Sequence, residues 1–347
     1  MKAAVATAAI ACIALTACGP FHPIVTAGPA VATSARVSST ARTAPPSPSP
    51  RPAPTAPIVY STAPCGLPMH AITEASGAFV LYPSGAVAGA PGSEVALPGH
   101  SPGEIGVNPG LTYDVAENKW IPAPYYWLAP AGRLYIFEDF ATGKTFVVNV
   151  SSGSATQLAV PSGWFPFGTS DDGVYVQASA PGGAWFYPFD GSQARLLTEG
   201  NYWLKYNSDS IWRLSAGSAG LLVRHDLFTG ADRTLTTLGG WNDILGFDVQ
   251  GDPLILNSTD IPSSSSKQSY KFMLIGADGH ATTLWSGNGN RAVGLAVGDN
   301  HGVWFVIANS DGLPGHEGLY LWTPHTGAKL IAALDGNIAD GIAGTCT

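Results

Sequence analysis

The chain has 347 residues, of which only 12% are charged, and its formal net charge is −8. Nucleic-acid binding depends on clustered Lys and Arg, and the 16 such residues are spread along the chain, so we expect no nucleic-acid partner. Ten Trp, twelve Tyr and thirteen Phe favour a chain built from β-strands.

The first 18 residues have the pattern of an export signal. Met1-Lys2 precedes a 12-residue apolar run from Ala3 to Ala14, which is too short for a permanent membrane span. Leu15-Thr16-Ala17-Cys18 resembles the bacterial lipobox, whose cysteine is diacylated and becomes the new N-terminus. The resemblance implies an exported lipoprotein, held by Cys18 in the lipid bilayer on the outer face of the cytoplasmic membrane or within the cell envelope. An ordinary secretory signal with an incidental cysteine is the alternative.

Residues 19–62 are rich in Pro, Ala, Ser and Thr and show no apolar periodicity. Such a segment cannot bury a core, so we expect a disordered tether with polyproline character. The 47 residues from Cys18 to Cys65 reach about 40 Å as a coil and at most about 145 Å when extended. The predicted organisation is a signal peptide and lipobox at 1–18, a tether at 19–62 and one domain at 63–347.

Two cysteines remain for that domain, because Cys12 leaves with the signal and Cys18 takes the lipid. Disulfides persist in exported proteins, and two cysteines can pair in only one way. We therefore predict a disulfide between Cys65 and Cys346.

One hairpin recurs six times along the domain, and short strands alternate there with Gly, Asp and Asn turns. The hairpin turns are centred on residues 118, 153, 191, 230, 279 and 327. Between hairpins lie two further strands joined by turns containing Asp or Gly. A period of about 40 residues in an all-strand chain is typical of the four-stranded blades of a β-propeller. The sequence thus predicts an all-β propeller with six blades, while five or seven stay open because the early spacing is short.

The two ends of the repeat look like parts of one blade. The first hairpin follows a strand at 78–82 with none before it, and the last hairpin is followed by an orphan strand at 337–343. A blade shared by both termini closes the ring and brings the two cysteines together. The region from Ala78 to Cys346 resembles the broad class of TolB-like, NHL-like and WD40-like propellers, and the hairpin from Tyr113 to Trp120 is similar to one kelch hairpin. These resemblances imply a fold and no functional residues.

Motifs for catalysis are missing from the sequence. It contains no HExxH, no GxSxG and no phosphate-binding loop, and its eight histidines are scattered. We therefore assign no catalytic residue, no metal ligand and no cofactor. Aspartates recur in the turns between the first two strands of each repeat, and we interpret them as turn formers: Asp171, Asp172, Asp209, Asp252 and Asp299.

The best candidate site is the rim of the central channel, formed by the loops that enter each blade. In a propeller, these loops lie on the same face as the loops between the second and third strands of each blade. We assign three long segments to loops of this second kind: 83–110, 257–269 and 309–318. Aromatic faces beside polar groups suit sugar rings, peptides or a partner protein. The alternative is that these aromatic rings pack between blades. The rim residues are Trp164, Tyr202, Trp203, Trp241, Asn242, Asp243 and Arg291.

The anchor, the tether and the missing catalytic motifs together favour a binding function. We predict a membrane-anchored extracytoplasmic binding or assembly module that recognises a glycan, a peptide or an envelope protein. The alternative is an envelope enzyme on the same scaffold, such as a lactonase, a quinone-dependent dehydrogenase or a glycan-cleaving hydrolase.

Overall fold

The computed structural model describes residues 58–70, 77–89, 93–94, 112–139, 142–178, 182–200, 203–214, 219–258, 269–288, 291–309, 317–334 and 341–347. The predicted export signal, Cys18 and most of the tether lie outside these residues, so the lipid anchor stays a prediction. In the part of the chain that is described, no helix is long and apolar enough to cross a membrane.

Six blades form a β-propeller, as predicted: five are four-stranded antiparallel sheets, and blade 2 is a three-stranded sheet completed by an irregular inner segment. Blades 3 to 6 follow the chain order from the innermost to the outermost strand. Blade 3 consists of Phe165–Thr169, Gly173–Gln177, Ala184–Pro188 and Arg195–Thr198. Blade 4 consists of Trp203–Asn207, Ser210–Leu214, Ala219–Asp226 and Asp232–Gly239. Blade 5 consists of Trp241–Phe247, Pro253–Ser258, Ser269–Ile275 and Ala281–Asn288. Blade 6 consists of Arg291–Asp299, Gly302–Asn309, Glu317–Thr323 and Gly327–Leu334.

Blade 2 departs from this pattern at its innermost position. Its outer strands are Leu134–Asp139, Lys144–Asn149 and Ala155–Gln157. The innermost position is taken by the 3₁₀ helix Tyr125–Trp127 and by Leu128, which pairs with Tyr135 through a single bridge. This irregular segment therefore presents two tyrosines where the other blades present a strand.

Both ends of the domain build blade 1, which closes the ring as predicted. Its strands, from the innermost outward, are Gly341–Ile342, Cys65–His70, Ala78–Tyr82 and Ala86–Gly89. The predicted disulfide joins Cys65 to Cys346, with Cα atoms 5.6 Å apart. The buried carboxylate of Asp299 in blade 6 supports the closure, because its Oδ2 accepts hydrogen bonds from the Cys346 amide and from Trp304 Nε1, both at 2.9 Å.

The structure corrects the predicted beginning of the repeat. The strand at 78–82 is the third of blade 1 and not the second, because Cys65–His70 occupies the second position. That strand contains Pro68, which lacks an amide donor, and it shows no polar–apolar alternation. The hairpin turn of blade 1 lies at residues 83–85 and not at 118, so segment 83–110 is not a loop between second and third strands.

The hairpin predicted around residue 118 belongs instead to a small extra sheet of three strands, Ser93–Glu94, Thr112–Asp114 and Lys119–Ile121. This sheet contacts the blades on either side of it. The Tyr113 amide donates to the Ala343 carbonyl beside blade 1 at 2.8 Å. Lys119 Nζ donates to the carbonyls of Val150 and Ser151 in blade 2 at 3.0 and 3.1 Å. The extra sheet thus joins the first two blades of the ring.

The innermost strands of blades 3 to 6 share a break in register with their neighbours, which is the mark of a β-bulge. Glycines near the break allow close packing of adjacent blades. A Cβ atom on Gly168 would lie 2.0 Å from the Tyr206 Cβ in blade 4, and one on Gly246 would lie 2.0 Å from the Ala296 carbonyl oxygen in blade 6. The innermost strands of adjacent blades therefore lie in close contact around the channel.

Apolar clusters between adjacent blades make the core. The rings of Phe272 and Phe305, both fully buried, lie 5.0 Å apart across the boundary between blades 5 and 6. Trp304 and Leu67 share the cluster that joins blades 6 and 1. Since each blade packs on both sides, its middle strands are buried on both faces, and the channel is held in a rigid frame.

Candidate functional site

The predicted rim residues occupy the starts of the innermost strands of blades 3 to 6. Tyr202 lies outside the described residues, and of Trp203 and Arg291 the structure describes the backbone alone. The other four are Trp164, Trp241, Asn242 and Asp243. Their placement can be compared with the two interpretations of the sequence, a ligand-binding rim or packing between blades.

Trp164 and Trp241 differ in their surroundings. The Trp164 ring lies 5.5 Å from the Trp185 ring and 6.2 Å from the Tyr187 ring, and it packs against the cluster shared by blades 2 and 3. This contact matches the alternative of packing between blades. Trp241 is 37% exposed and remains open to a partner at the rim. A binding role for either residue stays a prediction.

Asn242 is engaged in the loop that enters blade 5. Its Nδ2 donates to the Gly240 carbonyl at 3.2 Å, and its Oδ1 accepts from Asn257 Nδ2 at 2.8 Å. These bonds fix the start of the strand, so the structure gives Asn242 a structural role.

Asp243 belongs to a group of three residues that we name the channel cluster: Asp243, Lys205 and Tyr126. Lys205 Nζ lies 4.3 Å from the centre of the Tyr126 ring, a cation–π contact. Burial lowers the pKa of Lys205 and raises the pKa of Asp243, and the attraction between the two charges opposes both shifts. The Lys205 ammonium thus lies over an aromatic face inside the protein, and the Asp243 carboxylate attracts it.

A cavity of about 310 Å³ opens at the other end of the channel, where the innermost strands end. Four aromatic residues contribute to its wall: Tyr125, Tyr126, Tyr206 and Phe247. Polar groups come from Thr169, Asn207, Ser208 and Asp248, and the remainder is Leu128, Pro130, Val297 and Gly298. Since this end carries the turns between first and second strands, the cavity lies opposite the predicted rim.

Asp248 is the carboxylate of this cavity. It follows the innermost strand of blade 5 and is 9% exposed. Its Oδ1 accepts hydrogen bonds from the amides of Gln250 at 2.9 Å and Asp252 at 2.8 Å, which hold the turn. Burial raises the pKa of Asp248 to about 6, although these amide bonds act in the opposite direction. A carboxylate that is costly to ionise here suggests a site rather than a turn former alone.

The segment before the disulfide crosses the same end of the propeller. The Ser61 amide donates to the Asn300 carbonyl at 2.7 Å, and His301 Nε2 donates to the Ala63 carbonyl at 3.1 Å. The neighbouring Tyr60 is partly buried, and its pKa is raised by that burial and by the Asp248 carboxylate. The chain therefore enters the propeller beside the cavity.

The remaining polar groups of the cavity differ in how they are satisfied. Asn207 Nδ2 donates to the Gly251 carbonyl at 3.1 Å, which ties blade 4 to blade 5. The Tyr206 hydroxyl donates to the Ser208 carbonyl at 3.1 Å, and its ring stacks on Tyr175 at 4.4 Å. Thr169 is only 1% exposed, and its Oγ1 has no hydrogen-bond partner among the described residues.

Three of the aspartates interpreted as turn formers are engaged with neighbouring groups. Asp171 Oδ1 accepts from the Ala131 amide of blade 2 at 2.9 Å. Asp209 pairs with Arg224 at 2.8 Å, and Asp299 supports the ring closure.

Sequence reasoning missed Asp248 and most of the cavity. Two signals could have pointed to it. Lys205 is a lone charge in the aromatic sequence from Tyr202 to Tyr206, and Tyr125-Tyr126-Trp127 is an aromatic run outside the hairpin repeat.

Comparisons with known proteins give likeness of fold only. No protein-family model and no curated protein matches the chain. A putative TolB from Agrobacterium tumefaciens is 15% identical with a TM-score of 0.38, over 61% of this chain and 80% of that one. An oligogalacturonate lyase from Vibrio parahaemolyticus is 11% identical with a TM-score of 0.41, over 60% of this chain and 65% of that one. Regucalcin, a calcium-binding protein from Agrobacterium tumefaciens, is 13% identical with a TM-score of 0.38, over 61% of this chain and 74% of that one.

Proposed function

We propose that this chain is a lipid-anchored extracytoplasmic binding module whose ligand enters the channel through the cavity beside Asp248. The observation that carries the proposal is the wall of that cavity, where four aromatic residues occur together with the largely buried Asp248. Binding sites combine apolar walls with a few polar groups in this way. The lipobox, the export signal and the tether support the location, and Trp241 offers a second contact surface at the opposite rim.

The size of the cavity limits what it can hold. A volume of about 310 Å³ is at the lower end of the range of roughly 300–1,000 Å³ for ligand pockets. A small molecule fits, and so does one protruding group of a peptide, glycan or envelope protein. The cavity is open at the surface, so the rest of a larger partner can stay outside.

The contents of the wall favour binding over catalysis. Nucleophilic catalysis requires a nucleophile within hydrogen-bond reach of a base. Among the described residues that line the cavity there is no histidine, cysteine or lysine, and Asp248 Oδ1 is engaged by two amides. The described residues that line the cavity give no comparable support to the alternative of an envelope enzyme.

A blocked cavity tests the proposal. Pro130 is exposed at the edge of the cavity. It lies in a turn that is closed by a hydrogen bond from the Gly132 amide to the Ala129 carbonyl. Turns of this kind accept most residues at the position of Pro130. Pro130→Trp places a large ring at the opening, whereas Val115→Trp adds the same ring at an exposed turn of the extra sheet. Wild-type protein and both variants are dialysed against small-molecule extracts of bacterial envelopes, and the retained compounds are identified by mass spectrometry.

We expect wild-type protein and Val115→Trp to retain the same compounds and Pro130→Trp to lose them. Identical retention by all three proteins, or no retention by any, contradicts the proposal. New products that accumulate with time favour the enzyme alternative.

A further inference from the structure

We infer that the cavity beside Asp248 is a site for an organic ammonium group, such as an alkylammonium or quaternary ammonium ion. This inference rests on the proposed function, since it names the chemistry of the ligand for the same cavity. Three observations carry it: a carboxylate with no counter-ion among the described residues, aromatic residues in the wall, and an excess of carboxylates nearby.

Among the residues that the structure describes, Asp248 has no cationic partner. Its Oδ1 is used by the amides of Gln250 and Asp252, whereas Oδ2 accepts no hydrogen bond from the described residues. Within that part of the chain, no Lys, Arg or His lies at ion-pair distance from it. Buried carboxylates are normally paired, because an unpaired buried charge is costly. A cationic ligand would supply the missing partner.

The aromatic residues that line the cavity suit such a cation. The faces of Tyr and Phe rings attract ammonium groups, and aromatic cages are a recurring way to bind quaternary ammonium ligands. The same protein already uses this chemistry in the channel cluster, where the Lys205 ammonium lies over the Tyr126 ring and near Asp243. Tyr126 also lines the cavity, so the two cation-binding environments share a ring.

Carboxylates outnumber cationic groups among the described residues near the cavity. The Asp252 carboxylate acts on Asp248, and the carboxylates of Asp171 and Asp209 act on the Tyr206 hydroxyl. Arg224 pairs with Asp209, and the Asp243 carboxylate attracts the Lys205 ammonium. The surrounding is therefore negative, which attracts cations and repels phosphate or carboxylate ligands.

A metal ion fits less well, because Ca²⁺ takes 6–8 oxygen ligands and Asp248 is the one carboxylate among the described lining residues. The geometry thus favours a soft organic cation over a hard inorganic one.

The test compares a cation with its neutral isostere. Choline and 3,3-dimethylbutan-1-ol have nearly the same shape, and they differ in the charge. We titrate each into the wild-type domain by calorimetry at pH 8, and we repeat the titrations with Asp248→Asn. Asp172→Asn is the matched control, because it removes one exposed carboxylate from a turn on the same face without touching the cavity.

We expect choline to bind wild-type protein and Asp172→Asn alike, and to bind Asp248→Asn at least about tenfold more weakly. The neutral alcohol should bind at least about tenfold more weakly than choline. Equal affinities for choline and the alcohol, no binding of choline, or unchanged binding to Asp248→Asn overturns the inference. The inference is also overturned if calcium chloride displaces choline from wild-type protein and this calcium binding is lost in Asp248→Asn. The cavity would then be a site for an inorganic cation.

Failure of this inference is distinguishable from failure of the proposed function. If dialysis yields neutral or anionic compounds that Pro130→Trp loses, the binding module stands and the ammonium site is wrong. If wild-type protein retains nothing and choline fails to bind, both are wrong. Thermal melts of Asp248→Asn confirm that the variant is folded before its binding is judged.

Discussion

Asp248→Asn should stabilise the domain at neutral pH, because the wild-type carboxylate is ionised in a buried site. The pKa of Asp248 is about 6 in the folded protein, against an ordinary value of 3.8. A difference of about two pKa units corresponds to about 3 kcal/mol of unfolding free energy. Asparagine keeps an acceptor for the amides of Gln250 and Asp252, although a weaker one. We therefore expect a net gain of about 1–3 kcal/mol at pH 7.5.

The sign of the pH dependence follows from the direction of the shift. The folded protein binds the Asp248 proton more tightly than the unfolded chain does. Its contribution to stability is therefore fully present below about pH 4 and is lost as the pH rises through about 6. Burial also raises the pKa values of Asp114, Glu138 and Asp243, so the wild-type curve contains several such contributions. The difference between wild-type protein and the variant isolates Asp248.

Urea unfolding at pH 4, 5, 6 and 7.5 measures this difference. The two proteins should be nearly equal in stability at pH 4, and the variant should gain steadily up to pH 7.5. The exposed Asp172→Asn variant should follow wild type within about 0.5 kcal/mol at every pH. A variant that is less stable than wild type at pH 7.5, or a difference that does not change with pH, would refute the claim that the Asp248 carboxylate is held at a cost.

Four further predictions concern the frame and the anchor. Cys346→Ser should lower the unfolding free energy by about 2–4 kcal/mol in urea melts of oxidised protein. This loss is smaller than the roughly 5.6 kcal/mol that chain entropy gives for a separation of 281 residues. Free thiols at both positions in wild-type protein would contradict the disulfide. Trp164→Ala should cost about 3 kcal/mol because its ring packs on Trp185, whereas the more exposed Trp241→Ala should cost clearly less; equal thermal melts contradict the assignment. Gly246→Ala should cost about 1–3 kcal/mol or more by the same assay, because its Cβ meets a backbone carbonyl, and an unchanged melting temperature refutes the close approach. Cys18→Ala should abolish labelling by a fatty-acid analogue and release the protein from membranes, and wild-type protein that is soluble and unlabelled refutes the lipobox interpretation.

The sequence by itself determined the architecture of the domain. Five of the six hairpin turns were placed correctly from the recurrence of Gly, because a tight hairpin needs a residue that tolerates positive φ, as Gly153, Gly191, Gly230, Gly279 and Gly327 show. The even number of cysteines predicted the Cys65–Cys346 bond, and the orphan strand at the end predicted the shared blade. These features are local patterns or simple counts, so they can be read without coordinates.

Only the tertiary structure decided where the channel opens and which side chains line it. The bulge in each innermost strand changes which residues face the channel, and no local pattern marks the residue at which the register breaks. Asp248 resembles the other turn aspartates in sequence. Asp209 is nevertheless paired with Arg224, whereas Asp248 lines a cavity whose described residues include no Lys, Arg or His. Burial depends on residues from neighbouring blades, about 40 positions away along the chain, and only the closed ring brings them together.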